Sequence, residues 1–386
     1  MPVHIRRDGF DPDPTLRELR RECPVSRVDF ATGGSGWLVT RYEDARTVLG
    51  DPALFPSHPN AFIAQGDEDA TTAPPGFLLA YNPPQHTRLR RMLAPAFTMK
   101  QMRQLRPRVE TMVTEHLDAI EKAGAPADLV TMFALPIPSL AICELLGVPY
   151  ADRADFQDRS VRRTDFALSL EQRAAALTES RAYLAELVAK QRAEPGDDIL
   201  GMLVRDHGDV LTDAELVGVA DLLLIAGHDT TAHMLALGVL LLLTEPGHRA
   251  AILDDRADAT IEEMLRYLSV VHSGIPRIAR EDTELGGQRI KAGDLVVCSL
   301  PSANRDETLG ADTERFDPAR RISAHIAFGH GIHHCLGAPL ARMELGIAYP
   351  ALLRRFPSLR VATPLAELRF HAHSVVYSVE SLPVAW

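Results

Sequence analysis

Phe328-Gly329-His330-Gly331-Ile332-His333-His334-Cys335-Leu336-Gly337 is the stretch on which the reading of this chain turns. Two glycines precede the cysteine and one follows it, residues that let a backbone turn tightly and lie close to its surroundings. A run with helical apolar spacing, 336–356, begins immediately beyond. The spacing therefore predicts a sulfur at a helix N-terminus, where free N–H groups and the positive end of the helix dipole favour a thiolate. A cysteine so placed serves as an anionic ligand or a nucleophile. Inert packing is the plainer reading, but it requires neither the glycines nor the helix start.

The stretch resembles the haem-binding loop of the cytochrome P450 family, the haem-thiolate monooxygenases, whose pattern Phe-Gly-x-Gly-x-His/Arg-x-Cys-x-Gly is matched in full. The resemblance implies haem b as cofactor and Cys335 as the axial thiolate on its iron, within a loop containing Phe328, Gly329 and Gly337. That ligand type favours O–O cleavage. Two rival readings use the same residues. His330, His333, His334 and Cys335 form a candidate zinc cluster, but structural zinc sites usually draw on two separated ligand pairs, and no second pair appears. Gly329-x-Gly331 as a nucleotide fingerprint lacks the third glycine and a preceding βαβ context.

The composition fits an enzyme with a large core: 386 residues, 46% of them hydrophobic. A prior of roughly 150 residues per domain permits two or three domains, although single-core enzymes of this size also occur. Cys23, Cys143, Cys298 and Cys335 are scattered, which argues against a disulfide framework and for a reducing compartment. Residues 1–21 alternate Arg, Asp and Pro rather than forming a charged-then-apolar leader, so a cytoplasmic location is expected. The net charge of −11 argues against nucleic acid as a partner.

The most apolar segment, 217–243, has the length of a membrane span of about 20 residues. Its centre, Gly227-His228-Asp229-Thr230-Thr231, would place an acid and several polar groups at mid-bilayer, at a cost of a few kcal/mol. A long helix buried in a globular protein explains the pattern better, and no membrane association is expected. Thr212 with Glu215 reads as a capping box at its start, and Glu245-Pro246-Gly247 as its end. Such a helix is roughly 45 Å long at 1.5 Å per residue.

Ala226-Gly227-His228-Asp229-Thr230-Thr231 is disfavoured in a helix interior, where Gly costs about 1 kcal/mol and Thr and Asp compete for backbone hydrogen bonds. A local kink with a satisfied polar pair is the simple account. The hexapeptide also resembles the family's Ala/Gly-Gly-x-Asp/Glu-Thr. That resemblance implies that Ala226 and Gly227 line the oxygen site, that Asp229 supplies protons and that Thr230 acts on the bound oxygen.

Glu263 and Arg266 stand at i, i+3 on one helical face, a common surface arrangement by itself. They resemble the family's Glu-x-x-Arg pair, completed by the arginine of Phe-x-Pro-x-Arg, which here reads Phe316-Asp317-Pro318-Ala319-Arg320. The implied role is structural, with Arg315 and Arg321 as competitors for the third place. Haem also brings two carboxylates that need cationic or donor partners. The resemblance nominates four. His86 and Arg90 lie in Pro83-Pro84-Gln85-His86-Thr87-Arg88-Leu89-Arg90, where Gln85 replaces the usual Glu; Arg277 follows Ile275-Pro276; His333 stands two residues before Cys335. Taken singly, each also reads as a solvated surface residue.

Periodicity predicts helices over 14–22, 42–49, 84–92, 99–123, 139–146, 171–193, 212–243, 260–268 and 338–356, with strands over 36–40, 294–299 and 375–379. The expected fold is mostly α with a small β region. The resemblance covers nearly the whole chain, so 1–386 is read as a single cytochrome P450 domain. It places the haem between the long central helix and the helix after Cys335. Pro350 should kink or end that last helix, at up to about 3 kcal/mol, and alter packing at 352–356.

By resemblance, substrate is enclosed by 57–80, 162–177, 223–226, 270–275 and 371–376, where His272, Ser273, His373 and Ser374 suit a mid-sized, partly polar molecule. Soluble actinobacterial members that tailor secondary metabolites are the nearest in style. The implied activity is hydroxylation or epoxidation with O2 and two electrons from separate partners, a ferredoxin or flavodoxin with its NAD(P)H reductase. Lys100, Arg103, Arg106 and Arg108 form a candidate docking face or an ordinary solvated helix face. Two alternatives stay open. One is oxidative C–C or C–N coupling of aromatic substrates, for example tryptophan-containing cyclic dipeptides. The other is a haem-binding sensor or carrier, which has no need of Asp229-Thr230.

Overall fold

The computed structural model describes residues 2–30, 34–57, 73–164, 168–320, 324–372 and 374–386. Helices dominate. In chain order they are α1 (Pro14–Glu22), α2 (Tyr42–Gly50), α3 (Gln85–Leu93), α4 (Met99–Ala123), α5 (Pro136–Leu146), α6 (Arg153–Thr164) and α7 (Leu170–Ala193). They continue as α8 (Ile199–His207), α9 (Asp213–Thr244), α10 (Pro246–Leu253), α11 (Ala257–Leu268), the single turn α12 (Leu300–Ala303) and α13 (Ala338–Arg355). The capping box at α9 forms as the spacing requires: Thr212 Oγ1 accepts from the Glu215 N–H, and the Glu215 carboxylate accepts from the Thr212 N–H.

Periodicity alone omits α6, α8, α10 and α12. The first carries few apolar residues, and the others are nine residues or shorter. Pro246 is instructive. It marks the end of α9 and also occupies the first turn of α10, where its missing N–H costs nothing.

A four-stranded sheet is built from β1 (Val25–Asp29), β2 (Ser35–Val39), β3 (Ile275–Ile278) and β4 (Leu295–Cys298), in the order β1-β2-β4-β3. Trp37 of β2 pairs in parallel with Val296, and Arg277 of β3 lies antiparallel to the same residue. The strand expected over 375–379 is not formed. That segment makes only isolated bridges, Val376 to Val271 and Phe370 to Val379, because each meets a single residue and not a partner strand.

The main core gathers α4, α5, α9 and α13, and a second apolar cluster joins the sheet to α2 through Val25, Val39, Val48 and Val296. Helix α9 is long and apolar enough to cross a membrane by composition, yet it packs against α5, α7, α10 and α13 within the fold.

Pro350 does not end α13, which runs on to Arg355. Tyr349 and Leu352 are fully buried, the Tyr349 hydroxyl donates to Met234 O at 2.6 Å, and Phe356 packs on Trp386. Each such buried side chain contributes about 1.5–3 kcal/mol, which together outweighs one lost backbone bond.

Glu344 on the same helix is buried with Oε2 unpaired among the described residues, and burial pushes its carboxyl up to about 8. A carboxyl raised above its unfolded value contributes stability that is present below about pH 4.3 and is lost as pH rises through the folded value. The melting temperature of the wild type should therefore fall between pH 5 and 9 relative to Glu344→Gln. Parallel melting curves across that window would show that burial does not raise the Glu344 carboxyl.

Candidate functional site

Gly329 and Gly331 both take positive φ, 73° and 70°, and a Cβ on Gly331 would stand 2.3 Å from Leu49 O. The Cys335 N–H donates to Phe328 O at 2.8 Å and closes the loop. Helix α13 begins at Ala338, so the sulfur stands just ahead of it and accepts from the N–H groups of Gly337 and Ala338. Cys335 is solvent-accessible, yet protein surrounds it closely enough that burial pushes the thiol up; the two N–H donors and the charges of Arg90 and Arg342 offset only part of that. Desolvation outweighs these contributions, and a metal cation held there would favour the thiolate.

Helix α9 is buried along most of its length but opens at its centre. Leu223, Ala226, Gly227, Thr230 and His233, at i, i+3, i+4, i+7 and i+10, are accessible, while Leu222, Leu224, Thr231 and Ala232 are buried. One face of a core helix thus borders open space. Thr230 Oγ1 donates to Ala226 O at 2.7 Å, and His233 Nδ1–H donates to Asp229 O at 2.5 Å. The first of these back-bonds to an i−4 carbonyl satisfies the Thr230 hydroxyl, one of the groups that made the hexapeptide look ill-suited to a helix. Gly227 has a packing reason as well, since a Cβ there would lie 2.3 Å from Ile142 Cδ1 of α5. His228 is buried, its Nε2 3.6 Å from Asp229 Oδ1, and burial lowers its pKa to about 4.

The four nominated donors come together from α3, β3 and the Cys335 loop. The His86 and His333 rings lie 4.4 Å apart, and the charges of Arg277 and Arg90 act on both. Burial, reinforced by those arginines, lowers His86 to about 4 and His333 to about 3. Both ring nitrogens of His86 and Nδ1 of His333 are buried without hydrogen-bond partners among the described residues. His333 Nε2 meets Ser57 Oγ at 3.2 Å, Arg90 Nη2 donates to His334 O at 2.7 Å, and Arg277, 3% exposed, donates to Pro276 O. Among the described residues no carboxylate faces this cluster; leaving such donors unmet is costly, about 1–3 kcal/mol per group, and the chemistry suits an anionic ligand.

Glu263 and Arg266 are fully buried and paired through two bonds of 2.7 and 2.8 Å. Arg320 takes the third place, with Nε 3.1 Å from Glu263 Oε1, while Arg315 offers only its carbonyl to Arg266. Arg321 lies outside the described residues.

Two of the segments expected around substrate meet each other. Val271 bridges Val376, and His272 Nε2 donates to Ser374 O at 2.7 Å. The His233 ring lies 5.9 Å from that of His371, which brings α9 to the same place. His233 was not nominated from the sequence; its i+3 spacing from Thr230 was the available signal. Within the stretches 57–80 and 162–177, residues 58–72 and 165–167 lie outside the described residues, as does His373.

The cytochrome P450 family model matches residues 257–365, from the start of α11 through the Cys335 loop to just beyond α13. Cytochrome P450 105C1 of a Streptomyces species is 46% identical over 99% of this chain and 97% of its own length. The chain belongs to the cytochrome P450 family. The crystal structure of the P450 StaH from biosynthesis of the glycopeptide antibiotic A47934 superposes with a TM-score of 0.91, at 44% identity over 100% of both chains. A second P450, OxyC, implicated in an oxidative C–C coupling reaction during vancomycin biosynthesis, superposes with a TM-score of 0.90, at 39% identity over 98% of this chain and 95% of its own. This P450 is a haem-thiolate monooxygenase of bacterial secondary metabolism, which takes an organic substrate, O2 and electrons from redox partners.

Proposed function

We propose that residues 1–386 work as a single catalytic unit that binds haem through Cys335 and hydroxylates or epoxidises a mid-sized secondary metabolite. The observation that carries the residue assignment is the meeting of buried, unmet nitrogens, both of His86 on α3 and Nδ1 of His333 on the Cys335 loop, with Arg90 and Arg277 beside them. These donors fit the two carboxylates of haem. When bound, the haem supplies dioxygen activation. Phe328 and the turn at Gly329 and Gly337 hold the Cys335 sulfur, and Ala226 and Gly227 border the oxygen side.

The open face of α9 supplies the protons: Asp229 delivers them and the Thr230 hydroxyl, oriented by Ala226 O, relays them. Thr230→Ala should keep haem and substrate binding while diverting reducing equivalents to peroxide or water. Product formed per NAD(P)H consumed measures this. An unchanged ratio would favour oxidative coupling of aromatic rings, a second reading supported by the likeness to OxyC.

Electrons come from a ferredoxin or flavodoxin with its reductase, in the cytoplasm, a reading supported by four free cysteines. Arg106 and Arg108 of the candidate docking face are engaged by Glu110 and Glu144, which leaves Lys100 and Arg103 as its more available charges.

Haem retention separates the four assigned donors from their neighbours. His86→Ala, Arg90→Ala, Arg277→Ala and His333→Ala should each speed haem loss to an apo-globin scavenger, by about 1–3 kcal/mol in retention. Arg88 instead pairs with Glu215 at the start of α9, so Arg88→Ala should lose haem at the wild-type rate. Fastest loss from Arg88→Ala, with the four at wild-type rates, would refute the assignment.

A further inference from the structure

Glu262 stands beside the buried Glu263 on α11 but faces a different partner. Its carboxylate takes two bonds from Arg342 of α13, Nε to Oε1 at 2.6 Å and Nη2 to Oε2 at 2.8 Å. A third comes from His325, at 3.1 Å from Nε2 to Oε2. The tautomer of His325 follows from its other side: Nδ1 accepts from the Ala327 N–H, so Nε2 carries the proton and donates it to Glu262. The guanidinium of Arg342 lies 4.6 Å from the centre of the Phe328 ring, and the carbonyl of Phe328 is the acceptor for the Cys335 N–H. Burial of Glu262 is outweighed by its bonds to Arg342 and His325, which hold its carboxyl at about 2, so it is charged at all working pH values. The charge of Arg342 acts on the Cys335 sulfur.

We propose that Glu262, Arg342 and His325 form a charge-balanced clamp on the Cys335 loop that sets the one-electron reduction potential of the bound haem. The inference rests on the reading of Cys335 as the haem ligand. Arg342 is a positioning residue: it lies over the Phe328 ring, and the charge that it exerts on the sulfur is opposed by a bidentate carboxylate. Reduction of the haem adds one negative charge, so an uncancelled cation beside the sulfur favours the reduced state and an uncancelled anion disfavours it.

The signs of two substitutions are therefore opposite. In the haem-loaded protein, Glu262→Gln keeps the shape but frees the cation, and should raise the potential. Arg342→Gln leaves the carboxylate with His325 alone, and should lower it. Each shift should be at least threefold in the ferric–ferrous equilibrium, roughly 30 mV for one electron. Arg342→Lys should fall between Arg342→Gln and wild type, and the Glu262→Gln/Arg342→Gln double variant should return toward wild type, since the two changes share one interaction. Potentials that move in the same direction in both single variants, or that do not move, overturn the clamp, because loosening of the loop alone has no reason to reverse sign. If either single variant yields no folded protein, the double variant and Arg342→Lys decide by the same criterion. A wild type without the thiolate-type absorption band overturns the ligand assignment and this inference together, whereas a normal band with unmoved potentials overturns only the inference.

Discussion

Cys335→Ser is expected to abolish the red-shifted absorption band that a thiolate-ligated haem shows when reduced under carbon monoxide. The loss should be complete, because no other thiol in the chain is placed to substitute. Cys143 and Cys298 are buried in the two apolar cores, where burial pushes their thiols up to about 12, and Cys23 is turned toward Val25 O. A serine hydroxyl offers oxygen in place of a soft, easily ionised sulfur, so any haem retained should absorb differently. An intact band in the serine variant, or zinc bound in place of haem, would remove the basis for every other residue assignment.

Glu263→Ala should be the most damaging substitution outside the haem loop. Arg266 is fully buried, and among the described residues its charge is balanced by Glu263 alone; its other bonds there go to the carbonyls of Asn304, Thr313 and Arg315. Removing one partner of a buried ion pair costs about 3–5 kcal/mol. Against a total stability of about 5–15 kcal/mol, that is enough to lower the melting point sharply or prevent folding. Glu307→Ala is the control, since its pair with Arg21 is exposed on both sides and such pairs contribute about 0–1 kcal/mol. Equal melting temperatures for the two variants would show that the network around Arg266 tolerates an unbalanced charge.

Much of the site was readable because its signals are local. The glycine spacing before Cys335, the Thr212–Glu215 box and the helix limits of α1 and α4 each depend on residues within a turn or two of one another. The grouping of His86, Arg90, Arg277 and His333 was readable by resemblance only, since nothing in their spacing brings α3, β3 and the loop together. His233, the Glu262–Arg342–His325 cluster and the bridge between Val271 and Val376 were not readable. Their partners are distant in sequence, and a lone His or an i+1 Glu on a helix carries no mark of what it will face.

The sequence by itself determined where the turns and helix ends fall, and which residues carry ligand chemistry, because backbone conformation and capping are settled by near neighbours. Tertiary packing decided the remainder. It carried α13 through Pro350 by burying Tyr349 and Leu352, and filled the space beside Gly227 with Ile142. It also set the Cys335 thiol above its ordinary value, while leaving one face of α9 open. Those outcomes depend on which distant segments remove a group from water, and desolvation is a property of the assembled interior, not of any one stretch of chain.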